Sequence, residues 1–335
     1  MGAIETFIAG SPYVSPWINL AFEENLLPLA SDRGIILYLW RNQHTVVIGR
    51  NQNAWKECRT ALLEEEGGTL ARRLSGGGAV YHDLGNLNFT FFTSPRHYDV
   101  SRQTEVLIRA LQFLGISAVR TGRNDISVHD RKVSGNAYYS GKAGRFHHGS
   151  ILINGNIDRM SRYLQPSEAK LRGKGIDSVR SRVANLREFQ NSITVDGVKN
   201  AIAAAFLDEY GGRGEPIDLC DMLDDGGFQF LLNKYSSRDW IYGRSPCFDL
   251  TVERRFEWGS MELGFSILEG RIAGCQVYSD GMRGEIIAEL GGYLEGIPLD
   301  GSALGVALRK PFGEEIPREV EDTASWIEKE WSRLV

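Results

Sequence analysis

Cysteine is scarce and unpatterned in this chain. Its 335 residues hold four (Cys58, Cys220, Cys247, Cys275), far apart, with no C-x-x-C pair. A zinc site of local ligands or a disulfide scaffold is therefore not expected, and a reducing compartment fits. No apolar run approaches the roughly 20 residues that a membrane helix needs. The start lacks the basic-then-apolar order of a signal peptide. Met1-Gly2-Ala3-Ile4-Glu5-Thr6 fits the myristoylation pattern, but no basic cluster follows to supply a second anchor. A cytoplasmic protein with no membrane partner is expected. Charge of one sign is also missing: 38 Lys and Arg against 43 Asp and Glu leave −5, so no global basic field favours nucleic acid. Neither a Walker A loop nor a G-x-G-x-x-G fingerprint is present, and no internal repeat is visible.

Glycine is plentiful where it matters. Arg72-Arg73-Leu74-Ser75-Gly76-Gly77-Gly78-Ala79-Val80-Tyr81-His82-Asp83-Leu84-Gly85-Asn86 strips three successive residues of Cβ atoms. Such a backbone reaches positive φ and lets a ligand approach its N–H groups, which form a concave anion site. The preceding arginines suit phosphate or carboxylate. Ala79-Val80-Tyr81 and Leu87 to Phe92 read as strands, so the run joins two strands instead of opening a helix. A structural turn is the plainer alternative.

The length allows one large or two ordinary domains, and 42% hydrophobic with 24% charged residues suits a soluble core-forming chain. Thr6-Phe7-Ile8 predicts a strand. Pro16 to Leu27 predicts an amphipathic helix with Ser15 as cap, and Glu23-Glu24 reads as its solvated edge. Residues 35–40 and 45–49 read as a hairpin of buried strands, and 54–66 as a helix. Helices are also expected at 103–114, 195–210, 228–235, 285–294 and 317–334.

Residues 126–137 read as a β-hairpin that sets Lys132, Ser134 and Asn136 on one face; on spacing alone Lys132 is an ordinary surface lysine. His147 and His148 are strand neighbours on opposite faces, one inward and one outward, so they should not share a metal. The basic segment 170–187 contains a glycine-bearing, aperiodic stretch (173–181) that reads as a surface loop or as a flap screening phosphate charge. Residues 213–245 read as a connection. Alternating runs from Phe248 to Val277 form an antiparallel meander, beginning a smaller domain.

Together these residues resemble the lipoate–protein ligase A family, of the two-domain bacterial type, within the biotin/lipoate protein ligase superfamily. The carriers are Pro16-Trp17 with Asn19-Leu20-Ala21, the Arg72–Asn86 loop, Asn124-Asp125 with Lys132-Val133-Ser134-Gly135, His147-His148-Gly149, and Ser178 to Val183. The resemblance implies an α+β fold, with a large mixed-sheet catalytic domain over 1–246 and a small α+β accessory domain over 247–335. It implies conversion of lipoate and ATP to lipoyl-AMP, then transfer to a lysine of a 2-oxoacid dehydrogenase lipoyl domain or of the glycine-cleavage H protein. Octanoate is the alternative acyl group, and an ATP-independent octanoyltransferase the alternative activity. By the same resemblance Lys132 is catalytic. The nucleotide falls to Arg73, Gly76, Gly77, Gly78, Ala79, Val80, Tyr81, Asn124, Lys132 and Arg180. Lipoate falls to Leu20, Val47, Arg73, Ser75, Lys132 and His148, and Mg²⁺ to Asp125.

Overall fold

The computed structural model describes residues 5–30, 34–122, 124–165, 182–243 and 248–334. The chain divides into two compact units. The first comprises 1–47, 55–72 and 79–241; the second comprises 48–54, 73–78 and 242–335. The glycine run, Gly76 to Gly78, thus belongs to the second unit.

The first unit is built on a mixed sheet. Among the described residues its eight strands run in the order β11-β1-β2-β6-β10-β9-β8-β7. These are β1 (Glu5–Gly10), β2 (Gly34–Trp40), β6 (Asn86–Thr93), β7 (Val119–Thr121), β8 (Asp125–Val128), β9 (Arg131–Gly141), β10 (Gly144–Leu152) and β11 (Glu215–Ile217). Strand β1 is parallel to β2 and β11, and β6, β10, β9 and β8 follow antiparallel. Helices α4 (Val100–Phe113) and α6 (Val195–Tyr210) cover one face. Val106, Leu107, Ala110 and Leu111 of α4, and Val198, Ile202, Ala205 and Phe206 of α6, pack there on Leu37, Leu39, Phe89 and Phe91. Their spacing of three and four residues is the stripe such a face requires. Asp99 and Thr194 cap the two helices by accepting from Arg102 N–H and Gly197 N–H. Helix α1 (Pro16–Leu26) lies on the opposite face.

Burial of both faces explains why β2 and β6 are buried at every residue rather than at alternate ones. It also corrects the expected hairpin at 35–49. β2 pairs with β1 and β6, whereas β3 (Thr45–Ile48) joins a separate sheet of order β4-β3-β5, with β4 (Thr69–Arg72) and β5 (Val80–His82). The glycine run does join two strands, β4 and β5. The helix expected over 54–66 is broken into α2 (Ala54–Glu57) and α3 (Thr60–Glu65), because Cys58 leaves it to bridge Leu164. A short α5 follows at Ile157–Tyr163. The segment read as a connection holds β11 and the helices α7 (Gly226–Ser236) and α8 (Arg238–Tyr242).

The second unit contains the meander β12 (Leu250–Arg255), β13 (Ser260–Leu268) and β14 (Arg271–Ser279), as expected. Helices α9 (Gly284–Leu294), α10 (Gly301–Arg309) and α11 (Arg318–Leu334) pack on it, α10 being unforeseen. Leu263, Phe265, Ile287, Leu290, Leu304, Leu308, Val320 and Ile327 form its core.

Candidate functional site

The β8–β9 hairpin turns at His129 and Asp130, both at positive φ (47° and 60°), the geometry of a tight type I′ connection. A β-bulge then alters its parity. Ser127 pairs with Lys132, but Ile126 pairs with Ser134, so Val133 is the extra residue. Lys132 is thereby moved off the face predicted for it. Ser134 and Asn136 point to the α4–α6 side with Ile151 and His147, whereas Lys132 shares the α1 side with Asp125 and Gly135. Lys132 Nζ lies 2.7 Å from Asp125 Oδ1, with the two side chains 37% and 33% exposed. A Cβ on Gly135 would come within 2.9 Å of Nζ, so the glycine makes room for the ammonium. The Lys132 backbone is clamped as well: its N–H donates to Arg182 O at 2.6 Å, and its carbonyl accepts from Ala184 N–H at 2.9 Å.

Asn124 Nδ2 donates to Asn136 O at 2.7 Å and so ties the mouth of the same hairpin. His148 is buried on the Lys132 face. Its Nδ1 is 2.7 Å from Glu23 Oε1, which also accepts from Thr90 Oγ1 at 2.7 Å. Glu23 is therefore not a solvated edge: it is fully buried in α1, and its Oε2 has no partner. Glu24, by contrast, holds Lys234 and Tyr235. Leu20 and Val47 are buried apolar residues.

His147 is as buried as His148, on the other face. Opposite faces were expected, but both histidines are buried, because helices cover both sides. Burial foremost, with the electrostatic influence of His148 and Arg120, pushes the His147 imidazole down to about 3. A neutral ring donates from Nε2 to Asn136 Oδ1 at 2.9 Å and leaves Nδ1 as acceptor. Turning the Gln103 amide beside Nδ1 supplies that donor and gives the otherwise unpartnered Gln103 Nε2 a partner.

Val80 is half-buried, Ala79 likewise, and the Tyr81 ring packs 5.6 Å from that of Tyr163. Arg72 proves structural: its buried guanidinium donates to Trp240 O and Ile241 O. Of the two arginines read as an anion site, one is thus committed to the α8 end.

In the second unit, Arg73 organises the glycine run. Its Nε donates to Ser75 Oγ at 3.0 Å, and Nη2 donates to Gly76 O and Gly78 O at 2.7 and 2.8 Å. Gly77 sits at φ +91° and its N–H donates to Gly281 O at 3.0 Å. A Cβ on Gly76 would meet Gly281 O at 2.2 Å, and one on Gly284 would meet Gly76 N at 2.8 Å. At Gly76 the run is thus a backbone-on-backbone contact, whereas a Cβ on Gly77 would meet the Arg73 and Met282 side chains. Arg180 lies outside the described residues, as does the proposed flap at 173–181.

The described residues contain no group of three His, Cys, Asp or Glu side chains placed to hold a metal. Asp125, a single partly exposed carboxylate whose Oδ1 already faces Lys132 Nζ, fits only a hard cation that arrives mostly ligated by phosphate and water, the habit of Mg²⁺. Among the described residues no helix is long and apolar enough to cross a membrane.

Residues 15–207 match the lipoyl protein ligase A/B catalytic domain. Residues 245–326 match the bacterial lipoate protein ligase C-terminus. The chain is 30% identical to P. falciparum LipL1, solved in complex with lipoate, over 97% of this chain and 99% of that one, with a TM-score of 0.85. A bipartite lipoate protein ligase from Thermoplasma acidophilum, solved in a study with its E2 lipoyl domain, is 29% identical over 74% of this chain and 100% of that one, TM-score 0.63. A lipoate-protein ligase A bound with ATP is 27% identical over 72% of this chain and 98% of that one, TM-score 0.60.

Proposed function

Because the chain belongs to the lipoyl protein ligase A/B family and carries the bacterial lipoate ligase C-terminal domain, we propose that it is an ATP-dependent lipoate–protein ligase. A carboxylate oxygen of lipoate, or of octanoate, attacks the α-phosphorus of ATP and pyrophosphate leaves. The acyl-AMP is then attacked at its carbonyl by a lysine amine of the acceptor protein, and AMP leaves. Lys132 carries this reading. It is a partly exposed ammonium held by one carboxylate, over a glycine, on a clamped backbone. A fixed cation there offsets charge growing on the acyl carbonyl oxygen and the α-phosphate, the electrostatic role that commonly contributes most to such catalysis.

Arg73 and the Gly76–Ala79 backbone hold phosphate and carboxyl oxygens, and Val80 and Tyr81 border the adenine. Leu20, Val47 and His148 line the acyl chain. Asn124 supports the hairpin that presents Lys132. Asp125 is the group that would hold Mg²⁺, which would supply positive charge to offset that of the phosphates. No cysteine lies in the motifs that carry the resemblance, which counts against a cysteine-dependent acyl transferase. The proposed acceptors are E2 lipoyl domains, as the Thermoplasma pairing suggests, and the glycine-cleavage H protein, in the cytoplasm.

The test is to mix apo lipoyl domain with lipoate, with and without ATP, and read intact mass. A lipoyl mass gain only with ATP is expected. Acyl transfer from an acyl-carrier protein without ATP would make the chain a transferase instead.

A further inference from the structure

Asn88 is 1% exposed, and among the described residues neither its Oδ1 nor its Nδ2 has a hydrogen-bond partner. A buried carboxamide left unpaired is costly, so its place in the sheet is informative. Trp40, Asn88, Ser150, Gly135 and Asp125 form one cross-strand row, each in register with the next. Paired residues share a face, so Asn88 faces the side that carries Lys132. Thr90 and His148, with their partner Glu23, stand in the adjoining row on that face.

Distance decides what Asn88 serves. It lies two strands from Gly135, about 10 Å at the usual 4.7–4.9 Å per strand, and Lys132 Nζ stands over Gly135. A carboxyl group engaged by Lys132 is too short to reach Asn88 as well. An extended eight-carbon acyl chain, whose zigzag advances somewhat less than the bond length of about 1.5 Å per C–C bond, brings its far end across that span. The far end of an octanoyl chain is a methyl group, which would leave both amide atoms unpaired. The far end of a lipoyl group is a dithiolane, whose sulfurs are weak acceptors.

Resting on the proposed ligase reading, we infer that Asn88 is a specificity residue whose amide N–H donates to a dithiolane sulfur, favouring lipoate over a plain eight-carbon acid. Trp40, buried beside it in the row, supplies the apolar wall. A site that hydrogen-bonds one substrate penalises the analogue that leaves its polar groups bare.

The experiment compares kcat/KM for lipoate and octanoate, at saturating ATP and with a lipoyl-domain acceptor, in wild type, Asn88→Leu and Asn88→Asp. Wild type should prefer lipoate. Both variants should lose roughly two- to tenfold of that preference, the worth of one modest hydrogen bond, chiefly through a higher KM for lipoate. Asn88→Leu should also melt higher, since an apolar group of similar size replaces two unpaired polar atoms. Asn88→Ala replaces the leucine variant if that one does not fold. An unchanged preference in the variants overturns the inference, as does a lower melting temperature with preference retained, which would make the amide structural. A wild type with no ATP-dependent activity on either acid would instead overturn the ligase reading itself.

Discussion

Lys132 and Gly135 are a matched pair: the ammonium occupies the space that any side chain at 135 would claim, 2.9 Å from the missing Cβ. The bulge at Val133 brings them to one face, beside Asp125.

Lys132→Ala should leave the fold intact, because the side chain is 37% exposed and packs no core. ATP-dependent lipoylation should fall on the order of 10²–10³, the usual loss for one preorganised charge donor. Adenylation is followed by pyrophosphate release, folding by circular dichroism. A folded variant with undiminished adenylation contradicts the assigned role.

Gly135→Ala separates position from charge. The new methyl meets only the flexible end of Lys132, Nζ at 2.9 Å and Cε at 3.0 Å, so melting should hardly change. The displaced ammonium should cost activity nonetheless, by tenfold or more, since small misplacements of a catalytic group are expensive. Full activity would show that Lys132 tolerates movement, and that the glycine has another cause.

In the glycine run, Gly77→Ala should lower stability by about 1–2 kcal/mol, because φ +91° strains any side chain. The added Cβ would also crowd Arg73 Nη2 at 3.0 Å. Affinity for a non-hydrolysable lipoyl-AMP analogue, measured by calorimetry, should therefore drop together with melting temperature. Unchanged affinity in a less stable variant would make the run purely structural.

The neutral His147 predicts acid sensitivity of definite sign. Its folded pKa is about 3, against roughly 6.5 in an unfolded chain. Between those values the unfolded chain binds a proton that the folded one refuses, so this contribution to stability is present above about pH 6.5 and is lost as pH falls toward 3. His147→Gln, which keeps an amide donor for Asn136, should be less stable at neutral pH but lose less stability between about pH 6 and pH 4. Urea denaturation across that range checks it; parallel pH profiles for the two proteins would show that His147 is not the group responsible.

Much of the fold follows from local pattern. Helix α6 and the meander obey periodicity and turn chemistry. The glycine run lies between two strands because Val80 and Leu87 to Phe92 are β-prone. What was hidden depends on tertiary partners. Glu23 reads as solvent-facing in any window around α1; only His148, 125 residues away, makes it a buried partner. The parity of Lys132 could not be counted, because a bulge carries no local signature at Val133. Arg72 and Arg73 look equivalent in sequence, yet one caps backbone carbonyls near Trp240 while the other grips the glycine run. The 35–49 hairpin failed because consecutive strands can enter different sheets once a second sheet is present.

The glycine run has a consequence for recombination. Its Gly76 packs on Gly281 and Gly284 backbone to backbone, leaving no room for a methyl group at position 76 or at 284. Those partners lie more than two hundred residues downstream, beyond the start of the C-terminal family match at residue 245. A chimaera spliced there between two relatives would thus marry one parent's glycine run to the other parent's supporting turn. Parents with glycine at both 76 and 284 would keep that contact in the hybrid, so the C-terminal segment is inherited with the loop and is not an interchangeable cassette.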